Sequence, residues 1–303
     1  MMEYFYRIYG LRVQSQIPFS QAQPDVAGDV DVRIVFGRVP DFLREAAQKG
    51  YGTWTNGFTS AWFRVRDGTQ VYVEEGKRIT VELSTEPGMF LITSLLLSAG
   101  MALICLQRGD PFFHGSALSD GKWAILLCGE SGAGKSTVTM ELLRRKLGFL
   151  ADDTVRIHPG APEMVAEPSY PQQKLCRDMT VQCGRPLDEL IYIDEERGKY
   201  ALRRQDCYEK RAVPLHRIFL LRKTDEERPG DRVCIRSVTG KEALEALSSQ
   251  LYLADTYRYS TGIPYPLMEQ LVRIAGQVRI YEVSRPETGD TLREVVAKIL
   301  QLC

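Results

Sequence analysis

Short alternating runs dominate the first third of the chain. Tyr4–Tyr9, Val30–Phe36, Ala61–Val65, Gln70–Val73 and Arg78–Leu83 alternate apolar with polar residues or run β-branched and aromatic, the pattern of half-buried strands. Gly28, Gly37, Asp67-Gly68 and Glu75-Gly76 separate them, and Asp67-Gly68 between two such runs signals a hairpin. Asp41–Lys49 reads as a short helix closed by Gly50. Together these predict a β-rich N-terminal domain over residues 1–86, ending at Glu86-Pro87-Gly88.

From residue 87 the period changes. Met89–Leu106 is a run of eighteen residues without a charge. It is barely long enough to span a bilayer and contains Thr93, Ser94, Ser98 and Gly100, so it reads as a helix buried against a sheet rather than as a membrane segment. Asp120-Gly121 marks a turn before the apolar strand Trp123–Cys128, and a helix follows over Ser136–Lys146. Gly148–Ile157 reads as a strand carrying paired carboxylates. Prolines at 159, 162, 168, 171 and 186 predict mostly loop over 159–188. Strand-like runs return at Leu190–Ile193 and Arg217–Leu221, and helical periodicity fits 240–254, 264–276 and 288–301. The expectation is an α/β domain over 87–303 behind the small β-rich domain.

Composition narrows the class without naming a chemistry. The 303 residues hold 39 basic and 39 acidic side chains, so the chain presents no overall field to nucleic acid or an anionic membrane, and neither is expected as a partner. The best local basic patch is Arg203-Arg204 with Lys210-Arg211. Seven cysteines, an odd number with no C-x-x-C spacing, point to reduced thiols in a cytoplasmic protein. Three histidines, at 114, 158 and 216, argue against a histidine-built metal centre.

The chemistry lies in Gly129-Glu130-Ser131-Gly132-Ala133-Gly134-Lys135-Ser136-Thr137, which fits the phosphate-loop pattern G-x-x-x-x-G-K-[ST] between a strand and a helix. Glycines let backbone N–H groups curl around phosphate oxygens at a helix N-terminus, where the helix dipole also favours an anion. Lys135 is expected on the β- and γ-phosphates of ATP, and Ser136 on Mg²⁺. Seventeen and eighteen residues after Lys135 stand Asp152 and Asp153. Carboxylates at a strand end near such a loop can hold the metal or accept a proton from an attacking hydroxyl, and two of them can divide the work, Asp152 towards the metal and Asp153 towards the acceptor. A transport-type ATPase is the competing reading. Leu190-Ile-Tyr-Ile193 followed by Asp194-Glu195 has the form of its second motif, but residues 170–189 lack an L-S-G-G-Q-like segment. Asp194-Glu195 runs into Glu196-Arg197-Gly198, as a charged hairpin turn does.

His114-Gly115-Ser116-Ala117-Leu118, the loop 129–137 and Leu150–Val155, in this order and spacing, resemble the HPr kinase/phosphorylase superfamily. The likeness extends to the HPr-kinase-like serine kinases of lasso-peptide biosynthesis through Tyr6–Ser15, Gln107-Arg108-Gly109 and Tyr170-Pro-Gln-Gln-Lys174-Leu175. The resemblance implies an HPr-kinase-like P-loop kinase fold, with Asp153 as general base, Lys135 on the phosphates, Ser136 on the metal and His114 beside the transferring phosphate. It implies a peptide acceptor, the C-terminal serine of a lasso-peptide precursor, with the β-rich domain helping to bind it, by strand addition to an open edge. A small hydroxylated metabolite as acceptor, or a nucleotide-binding regulator or ATPase, are the alternatives. One departure is plain: the family's Glu-x-Arg-Gly-x-Gly element, source of a metal-ligating glutamate, is missing, since Glu196-Arg197-Gly198 lacks the spacing. That leaves phosphorolysis, HPr as substrate and the last metal ligand open, along with the oligomeric state.

Overall fold

Alternation in the N-terminal third produces one eight-stranded sheet in the computed structural model, which describes residues 2–56, 58–176, 190–194, 198–224, 233–253, 262–287 and 289–303. Its strands are β1 (Tyr4–Ile8), β2 (Leu11–Ser15), β3 (Gln23–Pro24), β4 (Val32–Phe36), β5 (Thr53–Asn56), β6 (Ser60–Arg64), β7 (Gln70–Glu74) and β8 (Arg78–Glu82), in the order β3-β1-β2-β4-β8-β7-β6-β5. Strand β2 escaped the sequence reading although it alternates cleanly, with Leu11, Val13 and Ser15 buried. The helix α1 (Asp41–Gln48) ends where Gly50 takes a left-handed φ of 89°.

The apolar run becomes a helix of 19 residues, Met89–Gln107. It comprises α2 (Met89–Leu95), a π-helical turn at Leu96–Gly100 and α3 (Met101–Gln107). This is the one helix among the described residues that is long and apolar enough to cross a membrane, and 67% of its most apolar 18-residue stretch is buried inside the molecule. Every residue from Met101 to Leu106 is buried in a core shared with β1, β2 and β8.

The second sheet carries the phosphate loop. Strands β9 (Phe112–Phe113), β10 (Gly115–Ser119), β11 (Ala124–Gly129), β12 (Gly148–Ala151), β13 (Val155–Pro159) and β14 (Met164–Ala166) lie in it. The long β18 (Val213–Thr224), β19 (Cys234–Val238) and β20 (Arg279–Pro286) complete it. β11 pairs antiparallel with β10 and parallel with β18, and β18 pairs parallel with β20. Both faces are covered, as a parallel sheet requires. Leu126, Cys128 and Ile218 face the core shared with helix 89–107. Ile125, Leu127 and Phe219 face α4 (Lys135–Arg144) and α7 (Leu292–Leu302), through Val138, Leu142, Val295 and Ile299. Two further helices, α5 (Gly240–Ser249) and α6 (Tyr265–Gln277), pack on the shared core through Leu247 and Leu271.

The structure corrects two expectations. Gly148–Ile157 is two strands rather than one, because Asp153 adopts a left-handed φ of 70° that no strand accommodates. Residues 159–176, expected mostly as loop, contain β14 and β15 (Gln172–Cys176) between their prolines. β15 joins β16 (Ile191–Asp194) and β17 (Lys199–Arg203) in a separate three-stranded antiparallel sheet. Asp194 therefore lies off the phosphate-loop sheet, on a strand antiparallel to β17, as the hairpin reading expects; Glu195, Glu196 and Arg197 lie outside the described residues.

Candidate active site

β11 ends at Gly129, where the chain leaves the sheet abruptly. Its φ is 146°, and a Cβ here would run into the Leu221 carbonyl oxygen on β18. Gly132 and Gly134 also take positive φ, and Gly134 caps α4 from the left-handed region. The loop thereby delivers its backbone amides to a helix N-terminus, the arrangement that favours a phosphate. Lys135 folds back across it, its Nζ donating to the carbonyls of Gly129 at 2.6 Å and Glu130 at 3.1 Å. Arg285, at the end of β20, braces the loop by donating from Nε and Nη2 to the Ala133 carbonyl at 3.3 and 3.2 Å. Gln250, just after α5, ties two parts of the site together. Its Oε1 accepts the Gly129 N–H at 2.8 Å, and its carbonyl accepts the His114 N–H at 2.8 Å.

Opposite the loop, β12 hands over to the turn Asp152-Asp153. Asp152 is buried and anchored at both oxygens: Oδ1 accepts from Ser116 Oγ at 2.5 Å and Oδ2 from the Lys174 backbone N–H at 2.9 Å. Burial raises its pKa; the Ser116 hydrogen bond opposes that rise and the charge of Asp153 reinforces it. Asp153 Oδ2 accepts from Lys174 Nζ at 2.7 Å, with the two side chains only 15% and 13% exposed. Burial works against the Lys174 ammonium, but the Tyr170 oxygen and the Asp153 carboxylate outweigh it and raise its pKa. The Lys174 ammonium and the Asp153 carboxylate thus form a largely buried ion pair that fixes where the carboxylate points. His114 Nδ1 lies 2.9 Å from the Asp153 carbonyl oxygen and 4.0 Å from Oδ1. A carbonyl only accepts, so Nδ1 carries a proton and donates it to the Asp153 backbone.

A cavity of about 210 Å³ gathers these groups: His114, Lys135, Ser136, Asp152, Asp153 and Lys174 all line it, with Ser131, Gly132, Gly134 and Thr137 from the loop. A larger cavity of about 610 Å³ opens on the β18 flank of the same loop, along Gly129, Glu130, Ser131 and Ala133. Leu220, Leu221, Val238 and Ala246 line it beside the charged Arg222, Lys223, Glu242, Glu245 and Glu282. Every predicted site residue therefore borders one of two cavities that share Ser131. Lys174 and Ser116 line the smaller cavity and Gln250 the larger, while Arg285 braces the loop from behind, none of them given a role from sequence. Lys174 stands 21 positions after Asp153 in a proline-rich stretch, and only the fold of β15 brings it there.

The residues fit a nucleotide with a magnesium ion. Ser136 and Asp152 face the same cavity, and Mg²⁺ commonly takes one or two protein oxygens together with phosphate oxygens and waters. No cluster of three or more His, Cys, Asp or Glu side chains suited to an all-protein metal cage occurs among the described residues.

No protein-family model matches the chain. Curated relatives do. It is 42% identical over 50 residues to an HPr kinase/phosphorylase of Nitrosomonas europaea, covering 16% of each chain. It is 42% identical over 53 residues to an HPr kinase/phosphorylase of Pelodictyon phaeoclathratiforme, covering 18% of this chain and 16% of the relative. Among solved structures, the Hpr(Ser) kinase/phosphatase of Coxiella burnetii aligns with 63% of this chain and 90% of its own, at 12% identity and a TM-score of 0.32. The relationship to HPr kinases is therefore carried by a shared segment that spans about a sixth of the curated relatives.

Proposed function

We propose that this chain is an ATP- and Mg²⁺-dependent kinase that phosphorylates a serine hydroxyl, with the C-terminal serine of a lasso-peptide precursor as its acceptor. One observation carries the reading: Asp153, fixed by Lys174, faces Lys135 and Ser136 across a single small cavity. A nucleotide has one reactive end and one inert end. The small cavity offers the carboxylates and cations that transfer needs, and the larger cavity on the other flank has room for the nucleoside.

In this reading the loop amides and Lys135 bind the phosphates. Bound Mg²⁺ would neutralise charge on the phosphate oxygens, with Ser136 and Asp152 as the residues that would hold it. Asp153 accepts the proton of the serine hydroxyl as that oxygen bonds to the γ-phosphorus and the bond to the departing ADP breaks. Lys174 orients the Asp153 carboxylate, and the His114 N–H fixes the backbone beneath it. The peptide acceptor rests on the resemblance of the outer segments, and two of these converge on the site. Tyr9, from the first, packs edge-on against Tyr170, from the last, with ring centres 6.3 Å apart. Lys174 belongs to the last segment as well.

Two variants test the assignment. Asp153→Asn is expected to lower transfer by about 10²–10⁴-fold with ATP affinity nearly intact, the usual worth of a general base. Lys135→Ala is expected to weaken nucleotide binding itself. Transfer by Asp153→Asn at the wild-type rate would remove Asp153 from its role.

A further inference from the structure

The turn between β1 and β2 reaches out of the first sheet and ends beneath the catalytic groups of the second. Tyr9 at its tip is fully buried, 88 residues or more from anything it bonds by side chain. Its Oη lies 2.6 Å from Thr154 Oγ1 and 3.2 Å from the Leu97 carbonyl. The carbonyl can only accept, so the tyrosine proton goes to Leu97 and the Thr154 hydroxyl donates to Oη. Thr154 follows Asp153 directly. The ring meets Phe112 edge-on at 4.9 Å, two residues before His114, and Tyr170 at 6.3 Å, four residues before Lys174. One side chain therefore touches all three segments that present Asp153, His114 and Lys174.

The backbone bears the same signature. Tyr9 and Asp153 are two of the non-glycine residues at positive φ, at 51° and 70°. Such conformations cost on the order of 1–3 kcal/mol and persist where the surroundings over-determine them, commonly at functional sites. Both ends of the turn are locked. Arg156 Nη1 donates to the Tyr9 carbonyl at 2.7 Å while its Nε and Nη2 hold Asp110. The Glu167 carboxylate fills the space a Cβ would need at Gly10.

We infer that Tyr9 is a positioning residue for phosphoryl transfer: through Thr154 it sets the left-handed turn that aims Asp153 at the acceptor. The inference rests on the kinase reading for its effect on rate, and on geometry alone for its effect on the turn. The catalytic geometry is completed by the N-terminal sheet, so the β-rich region is part of the transfer machinery whatever it contributes to acceptor binding.

The test uses the full chain with Tyr9→Phe, Thr154→Val and the double variant; each keeps the packing volume and removes one side of the same hydrogen bond. Two readouts are taken: kcat and KM for ATP with a Ser-terminated peptide, and amide hydrogen exchange over residues 150–156. Each single variant is expected to lower kcat about 10- to 100-fold, as small misplacements of a reacting group do, with KM for ATP within about 2-fold. The double variant should be no slower than the worse single one, because the two share an interaction. Exchange over 150–156 should rise in all three, and not in Val13→Ala, which weakens the same core away from the site. If the exchange of that segment is unchanged in Tyr9→Phe, or if kcat stays at wild type while exchange rises, the positioning role is overturned. If wild type transfers no phosphate to the peptide but Tyr9→Phe still loosens 150–156, the turn-setting contact stands and the kinase reading fails.

Discussion

Lys174 changes what Asp153 is. A carboxylate alone at a strand end can serve many purposes, whereas one held at 2.7 Å by a buried ammonium is oriented and paired with a specific cation. Removing that cation from a mostly buried pair costs about 3–5 kcal/mol. Lys174→Met is therefore expected to lower stability by that order and to cut transfer, with Lys174→Arg recovering part of both; thermal melts and kcat check this. Asp152 gives a prediction of opposite sense. Its pKa is raised above the ordinary 3.8, so the folded state binds the proton more tightly than the unfolded chain. Stability tied to this group is then fully present below the ordinary value and is lost as pH rises through the raised folded value. Asp152→Asn should melt above wild type at about pH 7, with the gain shrinking towards about pH 4, while losing transfer. A wild-type melting temperature for Asp152→Asn at both pH values would show that burial imposes no penalty. The aspartates were legible from their distance to the loop. Lys174 was marked only as part of the Tyr170–Leu175 resemblance; its pairing with Asp153 was not legible, because nothing in local spacing shows that a strand of another sheet brings it there.

At the scale of elements, the loop and its strand were readable because glycine has few other reasons to recur so densely between an apolar strand and a helix. The structure supplies the contact reasons. Gly115 faces the Leu127 carbonyl across the β10–β11 hairpin, with its notional Cβ at 2.5 Å, and Gly129 faces the Leu221 carbonyl. Gly115→Ala and Gly129→Ala should therefore each destabilise by about 1–3 kcal/mol, Gly129→Ala with loss of ATP binding as well. Chemical denaturation and calorimetric titration with ATP separate the two effects. Elements escaped the sequence where tertiary context overrode local signals. β15 forms between prolines because its partner β17 supplies the ladder, and the strand at Gly148 stops early because the Asp153 turn is held from outside by Lys174, by His114 and, through Thr154, by Tyr9. β20, unread in the sequence, owes its place to the parallel ladder with β18 and ends in Arg285, at the loop.

At the scale of the whole molecule, a β-rich N-terminal unit over 1–86 and a kinase unit over 87–303 remain the proposed division, yet they share one core. That core runs without a break from Tyr6 and Ile8 through Ile104 and Phe112 to Ile280. A chain of residues 87–303 would expose the pocket that holds Tyr9 and the face of helix 89–107. It is expected to aggregate or to melt far below the full chain, whereas an independent unit would melt as it does within the whole. The central claim, transfer of phosphate to a serine, has a direct measurement. The full chain is incubated with ATP and Mg²⁺ and a panel of acceptors, each followed by mass spectrometry: a Ser-terminated precursor peptide, its Ser→Ala counterpart, HPr and free serine. The account predicts a single phosphate on the Ser-terminated peptide and none on its alanine counterpart. ATP consumed in every sample with phosphate recovered only in solution would contradict it.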